Sequence, residues 1–239
     1  MSMLRLCFAV SIGVLNWVVT SNPAPKPKKH EEVTSSKQET SFISIALNFY
    51  GVPLGILLLA AVLESCVVLA VQYPTELSPV VTSLLFPEGG FDSAAHVSIT
   101  PFALITGITA VFGCLLRYFS IKRLGHLFTF RLAVRTDHAL VTSGPYAYVR
   151  HPGYTGNIIA AIGSGMFFLG PGSYAYECGL LKTIPGVICT VTWVGWKLFT
   201  TVNIIRRTAF EDEFLRAKFG KQWDAWARNV GYRLLPGVY

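Results

Sequence analysis

Five apolar stretches, separated by segments that hold almost all the positive charge, limit what this chain can fold into more than any other feature. They cover residues 6–19, 42–73, 100–119, 156–169 and 184–205. A hydrocarbon layer about 30 Å thick takes about 20 apolar residues as a helix, and inside it every peptide group must pair within its own segment. With 52% hydrophobic and 14% charged residues in 239, the chain is too apolar for an ordinary soluble domain. The expected fold is all-α: a polytopic membrane helix bundle of about five spans.

Charge placement orients these spans. Segments 21–41, 117–150 and 206–239 hold 17 of the 20 Lys and Arg residues, and five crossings put all three on one side. By the positive-inside bias that side is cytosolic. The 74–98 segment, read as a loop with Glu76, Glu88 and Asp92 but no Lys or Arg, then lies opposite. The net charge of +7 is therefore explained by topology, and no nucleic-acid partner is expected. Cys7, Cys66, Cys114, Cys178 and Cys189 form no CxxC pair and no metal-ligand spacing, so they read as free thiols without a metal.

Three domain-level expectations follow. Residues 1–20 are an N-terminal span or signal-like segment; a retained span is favoured because 19–23 offers no convincing cleavage site. Residues 21–41, rich in Lys and Pro, read as a flexible polar linker. Residues 42–239 form one membrane domain, in which 42–73 is longer than one crossing needs and is expected to tilt or to bend near Pro53. Glu64 lies within that stretch, either as a functional intramembrane carboxylate or as a partly wet position near the helix end. Gly163 and Gly165 suit close helix approach.

Two constellations carry chemistry. In DHALVTSGPYAYVRHPGYTGN, residues 137–157, Gly144-Pro145 and His151-Pro152-Gly153 break the backbone and can leave peptide groups unpaired for a ligand. Tyr146, Tyr148, Arg150, His151 and Tyr154 surround the breaks, as in a binding loop or in an interfacial aromatic belt. Beyond residue 205, Phe210, Phe214, Ala217 and Phe219 mark an amphipathic helix that leaves the bilayer and lies against it on the cytosolic side. Arg207 and Glu211 share one helical face, where the ordinary reading is an exposed ion pair. Asp212, Glu213 and Arg216 are expected to be solvated.

The order Leu-Val-Thr-Ser-Gly-Pro-Tyr, then Arg-His-Pro-Gly-Tyr-Thr-Gly, resembles the cofactor motif of the isoprenylcysteine carboxyl methyltransferase family, integral membrane enzymes that use S-adenosylmethionine. Phospholipid methyltransferases share part of it. A second motif of the family is matched by Arg207, Glu211-Asp212, Leu215, Phe219-Gly220, Trp223 and Trp226. The resemblance covers about the last half of the chain, with motifs at 124–157 and 206–239. It implies that His138, Ala139, Leu140, Val141, Tyr146, Arg150, His151, Pro152, Gly153 and Glu211 hold S-adenosyl-L-methionine. It also implies that Arg207 binds the substrate carboxylate and is the catalytic residue. Departures from the pattern are Asp212 in place of a second Glu, Trp223 and Trp226 in place of Tyr, and Gly231 in place of Pro; an upstream cofactor contact near 128–135 has no assigned residue, Arg131 being the nearest candidate.

The implied activity is methylation of the C-terminal carboxylate of a prenylated cysteine, in CaaX-processed proteins or small prenylcysteines, at the endoplasmic reticulum membrane with the active site facing the cytosol. Such a carboxylate, with a pKa of roughly 3.3 to 3.7, is already ionised and needs no general base. Alignment, desolvation and the two-point grip of an Arg would suffice. His151 suits cofactor placement, and Tyr146 and Tyr154 can turn π faces to a sulfonium. Methylation of a phospholipid or other lipid amine is the alternative, and it would need a base. A non-catalytic membrane scaffold of the same fold is the second.

Overall fold

A computed structural model describes residues 2–21, 37–86, 90–130 and 139–239. His138 and most of the 21–41 segment fall outside the described residues, as do Arg131 and Arg135. The described chain is helical, with no strand among these residues. Helices α1 (Ser2–Thr20), α2 (Lys37–Phe49), α3 (Gly51–Gln72), α4 (Ser78–Leu85) and α5 (Gly90–Ala94) precede α6 (Pro101–Leu124). Then come α7 (Pro152–Leu169), α8 (Tyr174–Glu177), α9 (Ile184–Phe219) and α10 (Lys221–Asn229). Five helical segments are long and apolar enough to cross a membrane: Met3–Thr20, Ser41–Gln72, Pro101–Leu127, Pro152–Glu177 and Ile184–Phe219.

Local sequence explains most boundaries. The 42–73 stretch breaks between α2 and α3 at Tyr50, three residues before Pro53, which has no N–H to give to the carbonyl of Phe49. Pro152 opens α7, where a missing N–H costs nothing. The 74–98 segment is not a plain loop: α4 and α5 interrupt it. Pro79 stands in the first turn of α4, and Ser78 Oγ accepts from the Thr75 N–H at 2.9 Å. The expected separation of a fifth span from a C-terminal helix is also revised. With no Gly or Pro between Gly195 and Gly220, α9 runs unbroken for 36 residues, and the amphipathic helix proper is α10, which buries Trp223 and Trp226.

The chain forms two compact units. The first comprises Met1–Thr20, Gly51–Cys114 and Ile159–Lys197. Its core is Ala9, Ile12, Leu57, Ala61, Ala103, Ala110, Phe167 and Trp193. Small residues set the helix spacing: a Cβ on Gly163 would lie 2.4 Å from the Ala110 nitrogen, so α7 touches the α6 backbone there. Arg5 and Glu64 pair at the centre of this unit, 0% and 1% exposed. Arg5 also donates to the carbonyls of Ser98 at 2.9 Å and Phe167 at 3.1 Å, and the Tyr174 N–H donates to Glu64 at 3.0 Å. Glu64 is therefore neither wet nor free; it ties α1, α3 and the start of α8 together.

The second unit comprises Ser21–Tyr50, Leu115–Ile158 and Leu198–Tyr239. Its core is Tyr146, Trp223, Trp226 and Val230. The segment from Gly144 to Ala147 makes a single 3₁₀ turn that begins at φ +66°, a conformation that glycine adopts without strain. Trp226 Nε1 donates to the Tyr146 carbonyl at 3.2 Å and so fixes this turn against α10.

Candidate active site

Within the second unit, the end of α6, the 139–154 segment and the C-terminal part of α9 enclose an open cleft of about 950 Å³ including its mouth. Ala139, Leu140, Val141, Tyr146, Arg150, His151, Gly153, Arg207 and Glu211 line it. Of the residues that the resemblance implies hold cofactor or substrate, Pro152 does not line it and His138 lies outside the described residues; of the second motif, Leu215 and Trp226 also line it, whereas Asp212, Phe219, Gly220 and Trp223 do not. Residues 139–153 and 207–211, remote in sequence, thus come together in one cleft.

The polar floor of the cleft is a chain of buried charges. Arg207 Nε donates to Glu211 Oε1 at 2.6 Å, and the Tyr154 hydroxyl donates to the same oxygen at 2.6 Å. Glu211 Oε2 faces His151 Nδ1 at 3.3 Å. The other ring nitrogen of His151 meets Asp212 Oδ1 at 3.0 Å. Asp212 Oδ2 in turn holds Arg150 at 3.2 Å and Arg233 at 2.9 Å. Arg207 is 6% exposed, which rules out the ordinary solvated ion pair.

Asp212 corrects a second expectation. It is 3% exposed and bridges three cationic groups, whereas Glu213 is exposed and Arg216 makes a surface pair with Asp224. The signal for Asp212 was the acidic doublet itself, since its position matches a second acidic residue of the family motif. Burial works against a charged His151, but hydrogen bonds to Asp212 and Glu211 outweigh it and raise the imidazole above its ordinary value of 6.5. A carboxylate at each ring nitrogen favours the protonated form of His151, in which it bridges Glu211 and Asp212.

The backbone donors expected to be free at the second break are already used. The N–H groups of Arg150 and His151 donate to the carbonyls of Tyr232 and Arg233, both at 2.9 Å. Thr155 Oγ1 donates to the Leu234 carbonyl at 2.7 Å. The tail after α10 is therefore laid along the 150–155 segment and stiffens it. Arg117, whose guanidinium donates to the Gly153 carbonyl at 3.2 Å, holds the same turn from α6. The sequence did not point to Arg117 or Arg233, and although it placed the tail in the second motif region it did not show these contacts.

A model of the Isoprenylcysteine carboxyl methyltransferase (ICMT) family matches residues 104–184, a stretch that holds the first motif and most of the cleft wall on α6 and α7. The membrane-spanning helices and this match make the chain an integral membrane protein. A probable protein-S-isoprenylcysteine O-methyltransferase of Oryza sativa subsp. indica is 29% identical over 150 residues, covering 62% of this chain and 65% of that protein. The chain thus spans just under two thirds of that relative's length. The Dictyostelium discoideum protein-S-isoprenylcysteine O-methyltransferase is 27% identical over 146 residues, 59% of this chain and 53% of the relative. A Delta(14)-sterol reductase of Mus musculus is 28% identical over 104 residues, 44% of this chain but 21% of the reductase. The isoprenylcysteine methyltransferase relatives thus share more of this chain than the reductase does, while Arg207, Glu211 and Asp212 lie beyond the residues that the family match covers.

Proposed function

We propose that the protein transfers a methyl group from S-adenosylmethionine to the C-terminal carboxylate of a prenylated cysteine, from the cytosolic face of the endoplasmic reticulum membrane. The observation that carries this reading is the Arg207–Glu211 pair in the cleft, 6% and 18% exposed, a fixed cation beside a fixed carboxylate. A cofactor with a free ammonium and an acceptor with a free carboxylate need that combination.

The residues present fit the cofactor. Glu211 accepts at three of the roughly four lone-pair positions of a carboxylate, which leaves one for an ammonium. Arg150 Nε is buried without a hydrogen-bond partner, and Arg150 lines the cleft, so it can donate to the cofactor's carboxylate. Leu124, Phe128, Leu140, Val141 and Leu215 supply an apolar wall for an adenine. When bound, S-adenosylmethionine supplies an electrophilic methyl group on a sulfonium.

The chain's own task is then placement. Arg207 orients the acceptor carboxylate, Tyr154 and His151 hold Glu211 in position, and the apolar wall excludes water from the reacting oxygen. In the structure Glu211 occupies the Nε edge of Arg207, so acceptor and Glu211 share one guanidinium. His151 stands between two carboxylates that favour its protonated form, which suits it poorly to act as a base; an ionised carboxylate needs none, whereas a lipid amine would.

Transfer from labelled S-adenosylmethionine to a synthetic prenylcysteine in nanodiscs tests the proposal. Arg207→Lys keeps the charge but loses the planar grip, and turnover should fall on the order of a hundredfold with cofactor affinity near normal. The amide of the same prenylcysteine should not be methylated. Full turnover in the Lys variant, or methylation of the amide, would shift the assignment to a lipid amine.

A further inference from the structure

Another cavity lies wholly within the first unit, bounded by α3, the second half of α7 and the first part of α9, and it shares no lining residue with the cleft described above. It encloses about 690 Å³ including its mouth. Leu57, Leu63, Phe168 and Leu169 make most of its wall apolar. Glu64 is the one charged residue on that wall, and its two oxygens already accept from Arg5 and from the Tyr174 N–H. Leu59 and Cys189 line it and are also exposed, so the mouth opens on the apolar outer side of the helices, where lipid lies.

Two polar groups in this wall have no partner among the described residues: Ser164 Oγ and Trp193 Nε1, in residues 1% and 7% exposed. Ser164 is unusual for its setting. Ser65, Thr106, Thr109 and Ser120, also within spanning helices, each give the hydroxyl to the carbonyl four residues back. The Trp193 ring is seated on Gly165, where a Cβ would lie 2.9 Å from Cζ3, so its N–H cannot swing away without losing that contact. Buried donors left unpaired are costly, and a water would find too few other polar neighbours on so apolar a wall to take their place.

We propose that this cavity binds a neutral lipid alcohol, with its apolar body along α3 and α7 and its hydroxyl satisfying Trp193 Nε1 and Ser164 Oγ. The chemistry selects the class. Trp193 only donates and Ser164 both donates and accepts, which a single hydroxyl can answer in either sense. A phosphate head would meet no cation on this wall, and an amine head would meet only a carboxylate already paired with Arg5. A sterol and a linear isoprenoid alcohol offer the same head, and the test separates them.

Full-length protein in phosphatidylcholine nanodiscs is photolabelled with two diazirine probes, a cholesterol analogue and a twenty-carbon isoprenoid alcohol, each also prepared without its hydroxyl. Saturable labelling of peptides from residues 51–72 and 184–197 by one alcohol is expected, and the probe that labels names the source. The deoxy analogue should label about three- to tenfold less, the worth of one or two neutral hydrogen bonds, and Trp193→Phe and Ser164→Ala should each lower labelling by a similar factor. Ser164→Ala removes a group that has no partner among the described residues, so its melting temperature should equal or exceed the parent's, whereas Trp193→Phe also gives up buried ring area and should melt somewhat lower while remaining folded. Cys189→Trp, which fills the mouth from an exposed position, should abolish labelling. The proposal is overturned if neither alcohol labels saturably, if the deoxy probes label equally, or if the Phe and Ala variants label like the parent.

Discussion

Glu211 and Asp212 are neighbours on α9, but the helix turns about 100° between them, so that they share His151 and otherwise meet different partners. Glu211 receives Arg207 and Tyr154 inside the cleft, while Asp212 anchors His151, Arg150 and Arg233 behind it. Glu211→Ala should weaken S-adenosylmethionine binding by about 1.5 to 3 kcal/mol in a calorimetric titration, the range for a hydrogen bond to a charged group. From the sequence, Asp212→Ala promised a much smaller effect. The structure reverses this: losing Asp212 strands three cationic groups, so the melting temperature should fall along with cofactor affinity, and wild-type behaviour in both measurements would refute the bridging role. His151 adds a pH signature. Its folded value is raised above 6.5, so the stability it contributes is complete below 6.5 and is lost as pH climbs through the raised value. Melting temperatures measured upward from pH 6.5 should decline, and His151→Gln should remove that part of the slope.

At the scale of elements, the decisive contacts join pieces that look unrelated in the sequence. Helix α1 resembles a signal or a simple span by composition, yet its Arg5 reaches Glu64 on α3 and two further carbonyls. Arg5→Ala would leave Glu64 buried without its cation, at a cost of about 3 to 5 kcal/mol. Replacing both, as Arg5→Met with Glu64→Leu, should recover most of that loss, because an apolar pair avoids the desolvation that two charges incur. Thermal unfolding in detergent distinguishes the cases; a double variant as unstable as the single one would mean that the pair does more than neutralise itself. Helix α9 illustrates the opposite relation of sequence to structure. A change from apolar to charged composition at residue 206 suggested a new element, but composition reports the surroundings of a helix and not its continuity, and no breaker intervenes before Gly220.

For the whole molecule, the distribution of Lys and Arg predicts that residue 142 and the C-terminus share the cytosolic side and that residue 176 lies opposite. With the five native cysteines replaced by alanine, single cysteines at Thr142, Tyr239 and Tyr176, all exposed, can be labelled in sealed vesicles. The first two should react from one side and the third from the other; labelling of Thr142 and Tyr239 variants from different sides would break the five-span topology. The number and kind of the spanning segments were legible in the sequence because a bilayer makes each apolar segment satisfy its own backbone, so length and hydropathy suffice to read those helices, though not α4, α5 or the length of α9. The motif residues of the cleft were legible because their order along the chain resembles a family pattern. Only the tertiary structure decided that Asp212 is buried, that Glu64 is neutralised by Arg5, and that the tail occupies the N–H groups of Arg150 and His151. These contacts link residues 61, 59 and 82 positions apart. Pairing at such separations leaves no local periodicity, and whether a charged side chain faces water or a partner depends on what the rest of the chain brings to it.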